Sequence, residues 1–174
     1  MTKGEFEIKL IEDLVKGIPY IYPYIIENLA ILRNNKDYFR EYFLNDPVYS
    51  YHYAIYIDKC PRDDTRKVSC KNPYYAYTYA KDVDKCPRDD TRKVACKDTK
   101  NAYWYAYVVD KCPRDDTFNS VKGTNYEKRY LRNIGNPIDN LGFSSYYIIY
   151  RRFSNENNKR DCGRYAWAGQ FGYS

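Results

Sequence analysis

The chain has 174 residues, 44% hydrophobic and 30% charged, which suits one ordinary domain or one short repeat array and excludes wholesale disorder. The net charge is +6, and its placement is uneven: nine bases and four acids fall between Phe118 and Ser174, a local +5, so the remaining 117 residues carry only +1. An acidic partner, if there is one, is expected at the C-terminal end.

Acids at Glu5, Glu7, Glu12 and Asp13 interrupt the N-terminus, so no signal-peptide core is expected, and no apolar run is long enough to cross a bilayer. The expectation is a soluble, intracellular protein of the cytoplasm with no membrane partner. Glu5 to Lys16, with Ile8, Ile11 and Val15 on one side, is expected as the outermost cap helix. Tyr20 to Asn45 fills one period before the first clear repeat. Its Ile25, Leu29 and Leu32, followed by Tyr38, Phe39, Tyr42 and Phe43, suggest a degenerate unit, so residues 1–45 are expected to cap the array.

Residues 46–123 hold the dominant signal. Asp-Lys-Cys-Pro-Arg-Asp-Asp-Thr occurs at Asp58 to Thr65, Asp84 to Thr91 and Asp110 to Thr117, 26 residues apart both times. The units run from Asp46 to Lys71, Asn72 to Lys97, and Asp98 to about Gly123, the third decaying after Thr117. Asp46-Pro47 and Asn72-Pro73 pair an N-cap with proline at the first helical position. Ala76, Tyr79, Ala80 and Val83 share one face at helical spacing. Cys86-Pro87 is expected to break that helix and start a second, on which Thr91, Val94 and Ala95 share a face. Neither helix is long enough to stand alone, so the units are expected to stack into a mainly α fold, a short α-solenoid of two-helix 26-residue repeats.

The pattern Asn72-Pro73-x-x-Ala76-Tyr77-x-Tyr79-Ala80-x-x-Val83, closing on Lys97, resembles the 26-residue tandem helical repeats of many bacteriophage proteins, some of which carry Cys-Pro-Arg-Asp-Asp-Thr-Arg between the helices. The resemblance covers Asp46 to Thr117 well, Tyr20 to Asn45 weakly and the rest not at all. It implies a helical repeat fold and a phage origin, and it implies no chemistry.

No catalytic signature, metal site or cofactor is expected. Cys60, Cys86 and Cys112 recur at one repeat position and Cys70 and Cys96 at another, with Cys162 alone. Thiols of one unit lie ~15 Å apart if the intervening residues are helical, which excludes a disulfide within a unit. The pairs Asp63-Asp64, Asp89-Asp90 and Asp115-Asp116 project about 100° apart on a helix, too divergent to chelate one ion. They are expected to form a solvated ladder with Arg62, Arg66, Arg88 and Arg92. The single histidine, His52, matches Thr78 and Trp104 in the other units, which argues against catalysis.

Positions that differ between units carry the remaining information. Val48, Tyr74 and Lys100, then His52, Thr78 and Trp104, then Ile55, Lys81 and Tyr107, fall opposite the alanine face. Free drift of exposed positions and diversification into a contact surface both fit, the latter through Tyr74, Trp104 and Tyr107. In residues 124–174, Asn125 to Ile134 is expected as a helix, and Ser144 to Phe153 with Arg164 to Tyr173 as a small C-terminal β-hairpin. There Arg151, Arg152, Arg160 and Arg164 interleave with aromatics including Trp167, a mixture that suits single-stranded nucleic acid, an acidic protein, or simple coverage of the open end of the array. The functional expectation is a non-enzymatic repeat protein that docks on a host or phage protein and modulates or inhibits it, in the manner of an antidefence protein; the alternative is a nucleic-acid-binding module built on the basic C-terminal segment.

Overall fold

In a computed structural model of the protein, which describes residues 1–137 except Pro19, the 26-residue period becomes a stack of helix pairs. The first helix of each clear unit starts where its cap dictates. Asp46 accepts from the Val48 and Tyr49 amides, opening α5 (Pro47–Tyr53), and Asn72 accepts from Tyr74 and Tyr75, opening α7 (Pro73–Tyr79). Asp98 accepts from Asn101 at the head of α9 (Thr99–Trp104). Each helix then widens into a π turn, at Ala54–Asp58, Ala80–Asp84 and Tyr105–Asp110. The turns close on Lys59, Lys85 and Lys111, all left-handed, with φ of 56°, 55° and 55°.

The second helices are α6 (Asp63–Ser69), α8 (Asp89–Ala95) and α10 (Asp115–Val121). The left-handed lysine therefore ends the first helix, and the second begins two residues after the proline, with Arg62, Arg88 or Arg114 at its N-cap. The Cys-Pro pair is linker, neither helix end nor helix start. Paired aspartates in the first turn oppose the positive end of the helix dipole.

Before the clear repeats lie α1 (Lys3–Lys16), α2 (Ile21–Glu27), α3 (Leu29–Asn34) and α4 (Lys36–Phe43). A capping box between Thr2 and Glu5 opens α1. Phe6, Leu10, Ile21, Ile25, Leu32, Phe39, Phe43, Tyr53 and Ile57 form one core, so the degenerate unit seals the array with large side chains. Further along, fully buried alanines (Ala54, Ala76, Ala80, Ala95, Ala102, Ala106) let neighbouring helices approach, and Tyr79 and Tyr105 fill the space beside them. After Gly123, α11 (Glu127–Asn133) supplies the first helix of a further unit. The chain is thus mainly α, a short helical-repeat solenoid with no strand among the described residues. The expected C-terminal hairpin lies outside them.

The side of α1 that carries Ile8, Ile11 and Val15 does not face the array. Phe6 and Leu10 are fully enclosed instead, whereas Ile8 and Val15 are 64% and 84% exposed. Both sides of this helix are apolar, so periodicity gave no means of choosing between them.

The expected solvated ladder is also corrected. Arg66 and Arg92 are each only 6% exposed. Arg66 donates from Nε and a terminal nitrogen to Asp84 of the next unit at 2.8–3.1 Å. Arg92 donates to Asp110 at 3.1 Å and to Asp116 at 2.7 Å, and it also bonds Asp89. Arg40, one period before Arg66, makes the same bidentate link to Asp58 at 2.6 and 2.7 Å. Arg62 and Arg88 do keep to the surface, where Arg88 meets Asp90 at 3.1 Å. One period beyond Arg92 stands Phe118, and Gly135, 25 residues on because α11 slips by one, stands where Asp110 would recur, so both charges are replaced together. A buried charge left without its partner is costly, which explains the joint change.

A second inter-unit tie runs through tyrosine. The Tyr79 hydroxyl lies 2.8 Å from the Thr65 hydroxyl and accepts from the Arg62 amide at 3.1 Å. Tyr105 repeats this with Thr91 and Arg88, and Tyr130 of α11 with Thr117 and Arg114. The Tyr–Thr separation is 14 residues in the first two ties and 13 in the last, so α11 keeps the tie despite a one-residue slip. These bonds satisfy the amide at each second-helix N-cap, a group the arginine side chain leaves uncapped.

Candidate partner-binding surface

The first helices of successive units lie side by side, and their outer edges carry rings in contact. On the N-terminal side the series runs Tyr22, Tyr56, His52, Tyr51, Tyr75, Tyr74. Centroid separations are 5.1 Å (Tyr22–Tyr56), 5.9 Å (Tyr56–His52, stacked), 5.0 Å (His52–Tyr51), 5.6 Å (Tyr51–Tyr75) and 5.2 Å (Tyr75–Tyr74). It spans α2, α5 with its π turn, and α7. Tyr22 and Tyr74, its two ends, are 48% and 52% exposed. Polar ties fix the rings: Tyr51 donates to Asp82 at 2.8 Å, and Arg33 donates to the Tyr56 carbonyl at 3.0 and 3.1 Å.

A second group gathers at the other end. Tyr103 stacks on Tyr107 at 5.9 Å and touches Trp104 at 5.2 Å and Tyr126 at 5.4 Å. Asn133 of α11 donates to the Tyr103 hydroxyl at 2.8 Å, and the Arg129 guanidinium sits 6.0 Å from the Tyr126 ring. Tyr107 is 46% exposed. The exposed Lys128 and Arg132 add positive charge on α11.

The structure separates the residues that the sequence singles out. Tyr74 and Tyr107 are exposed as expected, each belonging to a different ring group. Trp104 is half-buried and packs against two core clusters, so it supports the surface from below. Thr78 is buried and donates to the Tyr74 carbonyl at 3.1 Å, and Val48 packs on the N-terminal core. These positions are not outward, because a first helix touches its own second helix and both neighbouring first helices; one wheel predicts only one of those contacts. Arg151, Arg152, Arg160, Arg164 and Trp167 lie outside the described residues. Tyr22, Tyr56, Tyr103 and Tyr126 were missed, since their membership depends on contacts between units.

The surface has little acid–base capacity. His52 sits among three tyrosines, its Nδ1 is buried without a hydrogen-bond partner, and burial lowers its pKa. Burial likewise raises the pKa of Tyr51, aided by Asp82, and those of Tyr56 and Tyr75, so these phenols stay neutral. Cys60 and Cys86 are exposed in the linkers, whereas burial pushes the Cys70 and Cys96 thiols up to about 11, away from reactive thiolates. Among the described residues, no group of three or more His, Cys, Asp or Glu side chains is placed to hold a metal ion. No helix among them is long and apolar enough to cross a membrane. Compared with protein-family models, curated proteins and solved structures, the chain matches none.

Proposed function

We propose that this protein is a non-enzymatic binding protein that docks a partner protein against the aromatic edge of its first helices. The observation that carries this reading is the pair of ring groups whose ends, Tyr22, Tyr74 and Tyr107, are about half exposed while their bases are pinned by hydrogen bonds and core packing. Rigid, partly exposed aromatics lose little conformational freedom on binding and are over-represented among residues that dominate interface energetics. The phage-type repeat supports a host protein as the partner, with modulation or inhibition of a host process, including antidefence, as the outcome. A second reading, nucleic-acid binding, draws on Arg129 beside Tyr126, on Lys128 and Arg132, and on the basic sequence that follows.

Affinity capture from a bacterial lysate, with and without nuclease, tests the two. A captured protein that survives nuclease and is lost with Tyr74→Ala/Tyr107→Ala supports the first. Capture abolished by nuclease, with affinity falling log-linearly as salt rises, overturns it in favour of the second.

A further inference from the structure

One face of α1 is open to solvent although it is apolar. Ile8, Ile11 and Val15 are 64%, 44% and 84% exposed, and their spacing draws them into one stripe over about 10 Å of helix. A helix that met only water on this side would be polar here.

The surroundings of the stripe are acidic. Glu5 and Glu12 lie along one margin, and Glu7 and Leu14 along the other. Beyond Leu14 the surface opens into a cavity of about 660 Å³ lined by Leu14, Asp37, Tyr38, Glu41, Tyr42 and Asn45. Glu7 accepts from the Tyr38 and Tyr42 hydroxyls at 2.7 and 2.5 Å, which fixes both rings at its mouth. Asp37 already meets Arg40 at 3.3 Å and Arg62 at 3.5 Å, whereas the Glu41 side chain is exposed. Lys3 lies 3.2 Å from the Tyr38 ring centroid, Lys16 is 4.0 Å from Glu12, and Lys9 is on the far side of the helix surface. Residues 1–45 hold six bases and seven acids, a net −1 in a chain of net +6, and one of those bases, Arg40, is buried against Asp58.

That charge decides between occupants. A second copy of α1 suits the stripe poorly: paired along their stripes, parallel helices set Glu7 against Glu12 of the other copy, and antiparallel ones set Glu5 and Glu12 against each other. An apolar stripe with acidic margins is complementary to an amphipathic helix whose own stripe is flanked by arginine or lysine. Arginine also suits the cavity, where its guanidinium reaches Glu41 while its planar face lies against a tyrosine ring.

We propose that α1 is a docking site, distinct from the aromatic edge, for a basic amphipathic helix of a partner protein. The apolar residues of that helix cover Ile8, Ile11 and Val15, its flanking cations meet Glu5 and Glu12, and one arginine enters the cavity toward Glu41. No step of this contact involves Tyr74 or Tyr107, so it stands or falls separately from the function proposed for them.

The test is fluorescence anisotropy on the full chain with a synthetic helical peptide of leucine, alanine and arginine, the leucines at helical spacing and the arginines beside them. A matched peptide carries glutamate in place of arginine. The arginine peptide should bind, and the glutamate peptide should bind weaker by on the order of tenfold or more. Ile8→Asp/Val15→Asp should weaken the arginine peptide to a similar extent, Glu12→Lys and Glu41→Lys severalfold each, and Tyr74→Ala/Tyr107→Ala not at all. Glu41→Lys keeps the fold, since the same repeat position holds Lys67 and Lys93 in later units; circular dichroism checks each variant. No binding, equal binding of the two peptides, or binding that ignores Glu12→Lys and Glu41→Lys overturns the proposal. So does a dimer in sedimentation that Val15→Asp dissociates, which would make a second copy the occupant.

Discussion

Each of the buried arginines Arg40, Arg66 and Arg92 carries a charge into the seam between units, and each meets there an aspartate 18 residues later. Removing one member leaves the other charged and enclosed, so Arg66→Ala should cost about 3–5 kcal/mol, whereas Arg66→Met/Asp84→Leu should cost far less. Urea unfolding of the two variants measures the difference. The partners of the Arg92 pair are pushed in different ways. Burial works against the charge on Arg92, but Asp110, Asp116 and Asp89 outweigh it and raise its pKa. Burial pushes Asp110 up to about 6 against the pull of Arg92 and Arg114. The carboxyl is the group that titrates, because arginine stays protonated at any accessible pH. Its folded pKa exceeds the unfolded value, so its stabilising contribution is full below about pH 4 and is lost as pH rises through about 6. The loss should be on the order of 2–3 kcal/mol. Asp110→Asn does not titrate, and its unfolding free energy should be flatter than that of the parent between pH 4 and 7.

Among the elements, the π turn that ends each first helix is the least expected. Its last residue is a lysine in the left-handed region, where a side chain costs about 1–2 kcal/mol and glycine is the usual occupant. Lys85 is exposed, so Lys85→Gly should raise the melting temperature by a few degrees, while Lys85→Val should lower it; thermal circular dichroism reads both. The starts of the first helices, by contrast, are legible residue by residue, since Asp46-Pro47 and Asn72-Pro73 name their own caps, whereas the second helices start two residues after the proline that the sequence marks. The stop was not legible, because lysine is not a helix-ending residue and Cys-Pro next to it is a stronger nominal signal. The same limit applies to α1, whose two apolar sides look alike until the neighbouring helices choose one.

At the scale of the whole molecule, the solenoid divides its side chains into those that tie units together and those that units display. Tyr107→Ala should leave the melting temperature nearly unchanged while weakening partner capture, because the ring is 46% exposed. Trp104→Ala should lower both, since Trp104 packs against two core clusters. Calorimetry beside the capture assay separates them, and equal destabilisation by the two changes would remove the distinction between display and support. The ring groups were only partly legible: Tyr74 and Tyr107 stand out as departures from the repeat, but Tyr22, Tyr56, Tyr103 and Tyr126 join them through contacts across units.

Period, first-helix starts and the alanine-tyrosine core face are properties of local sequence, because caps, proline and helical spacing act within a few residues of themselves. These alone determined that the protein is a helical repeat. Tertiary structure decided which charges are buried, which side of α1 is free and which aromatics meet, since each depends on a neighbour one period away. The Arg66–Asp84 pair makes the difference concrete. Both residues are plain in the sequence as polar members of a repeat, and only the stacking of units removes them from water and turns a surface charge into a tie.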